Sequence, residues 1–224
     1  MELKEAGLDV GERRVGRLMR INKIKPVRTR RHKVTTDSNH HLGVAANWLD
    51  GDFVADAPNR KWAGDITYVW TSEGWLYLAV ILDLHSRRVV GWAVSDRMKK
   101  DLAIRALDMA VRLRNPPEGC LFHSDRGSQY ASDNMQQLLR QNNILCSMSR
   151  KGNCWDNAPT ESLWGRMKVG RLYGQKFATR RDAMDEVIDW LTFYNHSRLH
   201  STLGYISPMQ FEQRWHAKQQ LKAA

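Results

Sequence analysis

At 224 residues, with 42% hydrophobic content and a formal charge of +11, the chain suits one core domain with a smaller appendage and favours phosphate-rich partners. Its three cysteines (Cys120, Cys146 and Cys154) include no C-x-x-C pair, which excludes a disulfide framework and indicates a reducing compartment. No apolar run reaches the ~18 residues a membrane span needs, and the opening MELKEAGLDVGERR has no apolar signal region, so a cytoplasmic protein without a membrane partner is expected.

Residues 1–38 form a basic segment. Between Glu12 and Lys33 stand ten Lys or Arg: Arg13, Arg14, Arg17, Arg20, Lys23, Lys25, Arg28, Arg30, Arg31 and Lys33. Val15, Leu18 and Met19 make one short apolar stripe at helical spacing. The pattern predicts a basic helix, then a basic tail over Lys25–Lys33 with Pro26 as breaker. Arg13, Arg14, Arg17 and Arg20 are candidate DNA contacts; a solvated charged arm is the alternative. Residues 39–60 show little pattern and read as a linker.

Residues 61–175 read as the core. Ile66–Trp70, Trp75–Leu82 and Arg88–Val94 are rich in β-branched and aromatic residues and predict three strands in an antiparallel meander. Gly74 and Asp83–Arg87 supply the turns. Asp101–Arg114 predicts a helix, stopped by Pro116 and Pro117. Cys120–His123 is a short strand running into a loop, Ser124–Tyr130. Ser132 is placed to cap a second helix, to about Asn142, and Ile144–Ser147 is a fifth strand. After a Gly- and Asn-containing loop, Asn157 can cap the next helix, with Pro159 in its first turn.

Residues 176–224 read as a helical extension of the core. Thr179 and Asp182 form a T-x-x-D capping box, and Ala183, Val187, Trp190, Leu191 and Tyr194 fall on one helix face. Ser207-Pro208 begins a last helix. The element order predicts an α/β, ribonuclease-H-like core: a five-stranded mixed sheet with helices on both faces.

Three acids occupy distinctive places on these elements. Asp65 begins the first strand, Asp125 follows the fourth, and Glu161 lies in the first turn of the helix after the fifth, with 35 residues between the last two. Singly, Asp125 could terminate a strand and Glu161 could favour a helix N-terminus. Brought together, three carboxylates repel one another and resist desolvation, and divalent cations remove that cost. Hard oxygen ligands select Mg²⁺ or Mn²⁺. Two such ions ~4 Å apart suit an in-line displacement at phosphorus. Asp65, Asp125 and Glu161 are therefore the candidate catalytic and metal-binding residues, with two ions per site.

Glu161, Trp164, Gly165 and Lys168 share a helix face by their spacing, so Lys168 is a candidate phosphate contact beside the site. Asn157, four residues before Glu161, is a further candidate DNA contact as well as a cap. Zinc has little support. His40 and His41 lack a nearby C-x-x-C, and His196 and His200 lack the glutamate of H-E-x-x-H. There is no P-loop.

Several stretches together resemble one family. They are W-A-G-D-I-T-Y at Trp62–Tyr68, D-L-H-S-R-R-V-V-G-W at Asp83–Trp92, H-S-D-R-G-S-Q-Y at His123–Tyr130, D-N-A-P-T-E-S at Asp156–Ser162, and Y-N-x-x-R-x-H-x-x-L-G-Y-x-x-P at Tyr194–Pro208. They are similar to the integrase catalytic core of bacterial transposases of the insertion-sequence-three family, OrfB type, over nearly the whole chain. The resemblance implies a D-D-35-E triad at Asp65, Asp125 and Glu161. It also implies metal-dependent cleavage at the ends of a mobile element, followed by joining of the freed 3′-hydroxyl to DNA. Lys168 matches the basic residue the family keeps seven positions after the glutamate. Implied partners are element ends and target DNA, further copies of the chain assembled on DNA, and an upstream OrfA-type product. Family members carry a complete helix-turn-helix before the core. Leu3–Ile21 resembles only its second half, so residues 1–38 are expected to be a partial helix-turn-helix-like segment.

The expected function is thus a DNA transposase. Two alternatives share part of the sequence argument. One is a DNA-binding fragment that regulates an intact enzyme. The other is a ribonuclease H, which the 35-residue gap and the Tyr194–Pro208 pattern disfavour.

Overall fold

The β-branched, aliphatic and aromatic residues crowded between 61 and 95 build three long strands, β1 (Lys61–Thr71), β2 (Gly74–Asp83) and β3 (Val89–Ser95). This computed structural model describes residues 7–25, 42–150 and 154–223, without the side chains of residues 154 and 155. The basic tail expected over Lys25–Lys33 lies beyond its first residue outside the described residues. β1 and β2 pair antiparallel along their whole lengths, from Trp62 opposite Asp83 to Thr71 opposite Gly74. Gly74 takes a φ of 107°, a conformation that glycine adopts at no steric cost. β3 pairs antiparallel with β2.

Two short strands complete the sheet. β4 (Leu121–Ser124) runs parallel to β1, and β5 (Leu145–Met148) runs parallel to β4, giving the order β3-β2-β1-β4-β5. β4 meets β1 only over Lys61–Ala63. Along its remaining length β1 has β2 on one side and no ladder on the other.

Seven α-helices are described: α1 (Glu12–Ile21), α2 (Lys100–Arg114), α3 (Ser128–Ala131), α4 (Asp133–Gln141), α5 (Ala158–Met167), α6 (Arg180–His196) and α7 (Pro208–Ala223). Alternation along the strands sends side chains to opposite faces and makes two cores. Trp62, Ala79 and Ile81 pack with α2 and α4. Ala63, Leu78, Val80 and Leu82 pack with Leu163, Trp164 and Met167 of α5 and with the buried face of α6. The expected capping box is present, with Thr179 accepting from the Asp182 N–H and Asp182 accepting in return. The α6 residues Ala183, Val187, Trp190, Leu191 and Tyr194 are all buried.

α7 is tied down by a buried glutamate. Glu212 Oε1 accepts from Arg114 Nη1 at 2.7 Å and Arg88 Nη1 at 3.1 Å, joining the end of α2 and the approach to β3. In contrast, α1 buries no residue. Among the described residues, no helix is long and apolar enough to cross a membrane.

Four local expectations change. β1 starts at Lys61, so Asp65 lies inside the strand. A short helix, α3, occupies the expected loop Ser124–Tyr130. Ser132 precedes α4, but its hydroxyl donates to the Gln129 carbonyl at 2.8 Å instead of capping. Asn157 makes no side-chain cap either: it ends a 3₁₀ turn, Cys154–Asn157, and its carbonyl accepts from Thr160 Oγ1. Residues 42–60 form no helix or strand, yet they are docked. Leu49 is buried, and the N–H groups of Trp48 and Leu49 donate to Ser147 Oγ. An irregular segment satisfying its backbone through a side chain leaves no periodic trace in sequence.

Candidate active site

Asp65 lies just past the last β1–β4 pair, where β1 loses its second strand partner and its carboxyl can face incoming groups. The Ile66 N–H donates to its Oδ1 and the Trp164 indole N–H to its Oδ2, both at 2.8 Å. Trp164 stands on α5, which crosses beside β1. Asp65 keeps part of its surface accessible. Even so, burial and then the Asp125 charge push its carboxyl up to about 7, with Glu161 adding to the rise and the Trp164 bond opposing it. Asp125, just after β4, and Glu161, on α5, thus lie within electrostatic reach of Asp65 in β1.

Asp125 follows β4 directly, and its Oδ1 accepts from the Gly127 N–H at 2.9 Å, which turns the chain into α3. His123, two residues earlier, is buried and shares a 2.9 Å hydrogen bond with Ser147 Oγ of β5. Burial pushes its imidazole down to about 4, so it is neutral beside the acids. Glu161 sits in the first turn of α5 on the exposed rim. Two residues before α5, the buried Asp156 accepts from the Arg150 N–H at 2.8 Å and Asn47 Nδ2 at 3.1 Å. Burial opposes the Asp156 charge, but the hydrogen bonds and charge of Arg150 hold its carboxyl below the ordinary range.

Lys168 opens a π-helical turn, Lys168–Leu172, at the end of α5. Its ammonium lies 5.1 Å from the centre of the Tyr68 ring. Burial lowers it and Asp65 raises it, so it lies within electrostatic reach of the acids. Asn157 ends the 3₁₀ turn just before α5, four residues before Glu161. Arg13, Arg14, Arg17 and Arg20 are on α1, which buries no residue.

Asp125, Glu161 and Lys168 thus each lie within electrostatic reach of Asp65. Among the described residues, no three His, Cys, Asp or Glu side chains are drawn together closely enough to hold a metal ion by themselves. The donor set nevertheless fits a hard divalent cation. It offers carboxylate oxygens only, and Asp65 ionises with difficulty where it is, the condition that a nearby positive charge relieves.

Two residues were not singled out by sequence reasoning. Trp164 was placed on the Glu161 face by its i, i+3 spacing, but its bond to Asp65 is a tertiary fact. Tyr130 ends the H-S-D-R-G-S-Q-Y stretch, and its buried hydroxyl has no partner among the described residues. Burial, then Asp65 and Asp125, hold it protonated far above its ordinary range.

Comparison with known proteins identifies the family. Residues 55–154 match the model of the Integrase core domain, and residues 142–208 match a second Integrase core domain model. The first span contains Asp65 and Asp125; the second contains Glu161. The retroviral integrase cores are similar in fold. One is a chain of the simian T-cell lymphotropic virus intasome, with a TM-score of 0.61 at 20% identity, covering 79% of this chain and 60% of that one. Another is the HTLV-2 integrase catalytic core domain solved in complex with magnesium, with a TM-score of 0.55 at 18% identity, covering 70% and 99%. Relatives at higher identity are bacterial. The chain is 44% identical to the Insertion element IS600 uncharacterized 31 kDa protein of Shigella sonnei, over 96% of its own length and 79% of the relative's. It is 42% identical to Transposase InsF for insertion sequence IS3A of Escherichia coli (strain K12), over 95% and 74%. On that similarity, and on an integrase-type core, the chain belongs to the IS3 family of insertion-sequence transposases.

Proposed function

We propose that Asp65, Asp125 and Glu161 carry out DNA cleavage and strand transfer at the ends of this chain's insertion sequence, holding two divalent cations as they do so. The observation that carries the proposal is the match to integrase core models and to an insertion-sequence transposase over nearly the whole chain, with Asp65 in β1, Asp125 just after β4 and Glu161 in the first turn of α5. Asp65, Asp125 and Glu161 would together hold the ions. Bound there, Mg²⁺ or Mn²⁺ supplies charge neutralisation and activation of the attacking oxygen for in-line displacement at phosphorus.

The chain's own groups orient the reaction. Trp164 and the Ile66 N–H fix the two oxygens of Asp65, and the Gly127 N–H fixes one of Asp125. This limits the reorganisation needed when charge develops. Lys168 contacts the phosphate next to the scissile one, and Asn157 borders the same path. Water first breaks a strand's P–O bond and frees a 3′-hydroxyl. That hydroxyl then attacks the phosphorus of a second phosphodiester, forming a new P–O bond as the attacked strand's 3′-oxygen leaves as a hydroxyl, with no covalent protein–DNA intermediate. Arg13, Arg14, Arg17 and Arg20 hold the duplex backbone away from the chemistry. Copies of the chain assemble on DNA in the cytoplasm, with an OrfA-type product as partner.

The test uses DNA carrying the element's ends with Mg²⁺ or Mn²⁺. Asp65→Asn, Asp125→Asn and Glu161→Gln are each expected to lower nicking by about 10²–10³-fold or more while DNA binding persists. Metal-dependent nicking that survives in any one of them overturns that residue's role. Binding without nicking by the unaltered chain would favour a regulatory DNA-binding protein instead.

A further inference from the structure

Beyond Asp65, the β1–β2 hairpin carries aromatic side chains that the core does not absorb. Trp70 is 59% exposed and Trp75 41% exposed, although both are large apolar residues in regular strands. Trp70 pairs across the ladder with Trp75, and their rings meet at 4.7 Å and 71°. Tyr68 meets Trp75 at 4.8 Å and 79°. Such edge-to-face contacts occupy at most one face of one ring in each pair, so other ring faces remain for a further flat group. The cluster therefore runs from the Lys168 ammonium through Tyr68 and Trp75 to Trp70.

The hairpin tip is held firmly. Arg180, at the start of α6, donates to the carbonyls of Glu73 at 2.6 Å and Trp75 at 3.1 Å. The Ser72 N–H donates to the Phe177 carbonyl at 2.9 Å. A rigid aromatic surface loses little conformational freedom when it binds.

The geometry points to a stacking platform for unpaired nucleotides at Tyr68, Trp75 and Trp70, flanking the cleavage site. This inference rests on the proposed role of Asp65. At a strand rise of about 3.3 Å, Tyr68 lies about 10 Å and Trp70 about 17 Å along β1 from Asp65 and on the opposite face of the strand, with Lys168 joining the two round the open edge of β1 by lying over Tyr68 and within electrostatic reach of Asp65. The occupant is DNA because the platform begins at Lys168, a cation that also lies within electrostatic reach of Asp65, and belongs to a chain of formal charge +11. Exposed aromatic rings beside cations hold single strands with little regard to sequence, since every base has a stacking face. The platform holds a strand opened near the element end, while paired DNA is held elsewhere.

The test measures binding of the full chain to an oligo-dT strand and to a mixed-sequence duplex of equal length, without divalent metal, so the result is independent of cleavage. Trp70→Ala and Trp75→Ala are each expected to weaken oligo-dT binding by about tenfold and to leave duplex binding within about twofold. Trp70→Phe keeps an aromatic face and is expected to retain most of the single-strand affinity even if the alanine variants fold poorly. Equal loss on both DNAs by folded alanine variants, or unchanged oligo-dT binding, overturns the platform. So does loss of self-association with DNA binding unchanged, which would mark the patch as a protein contact. Nicking by the unaltered chain, absent in Asp65→Asn, upholds the catalytic assignment whichever way the platform is decided.

Discussion

Asp65 illustrates how a single side chain is tuned by its neighbours. Its position in β1 places it where the parallel ladder to β4 stops, and α5 brings the Trp164 indole N–H to its Oδ2. A hydrogen bond to a carboxylate is worth about 1.5–3 kcal/mol, and here it opposes burial and the repulsion of Asp125. Trp164 is thus a positioning residue. Trp164→Phe keeps most of its packing against α6 and the sheet but removes the donor. We expect DNA nicking to fall about tenfold or more, with DNA affinity retained and a stability loss of roughly 1–2 kcal/mol by chemical denaturation. A rate equal to that of the unaltered chain would show that the bond does not matter to the reaction. The spacing of Glu161 and Trp164 was legible in sequence, because a helix puts residues three apart on one face. The partner of Trp164 was not, because Asp65 is 99 residues away in the chain.

Between elements, the tightest approach is that of β3 to α2. A Cβ on Gly91 would lie 2.8 Å from Ala110 Cβ and 2.9 Å from its backbone N, and would also strike the Ala106 carbonyl. Small residues on both surfaces let the helix lie directly on the strand, and backbone atoms cannot give way as a flexible side chain can. Gly91→Ala should therefore destabilise the fold by about 3 kcal/mol, read as a lower denaturation midpoint. A change under about 0.5 kcal/mol would mean that α2 shifts freely on the sheet. The element order was readable because each strand and helix carries its own period, and the α6 capping box is a local signal. The caps expected at Ser132 and Asn157 failed for a local reason too. Ser132 lies in a sharp turn from α3 into α4 with a nearer acceptor at Gln129, and Asn157 ends a 3₁₀ turn.

Across the whole molecule, charge is divided unevenly between a carboxylate site and a basic front. α1 buries no residue and carries Arg13, Arg14, Arg17 and Arg20, so the sheet places no packing demand on them. If each meets a DNA phosphate, replacing all four with alanine lowers the slope of log affinity against log salt by about 3 to 4, at ~0.9 per contact. Binding titrations across a salt series measure this directly, and an unchanged slope would make α1 a solvated arm. The sequence alone determined the order of elements, the buried face of α6 and the basic front, and it singled out three candidate acids. Each is written in local periodicity, composition or a motif. Only the tertiary structure decided that Asp65 lies within β1, that Trp164 holds it, that residues 42–60 dock through Ser147, and that Trp70 and Trp75 stay outside the core beside Lys168. Those facts depend on pairing across long loops, where the contact energy belongs to two distant segments and neither one carries its trace alone.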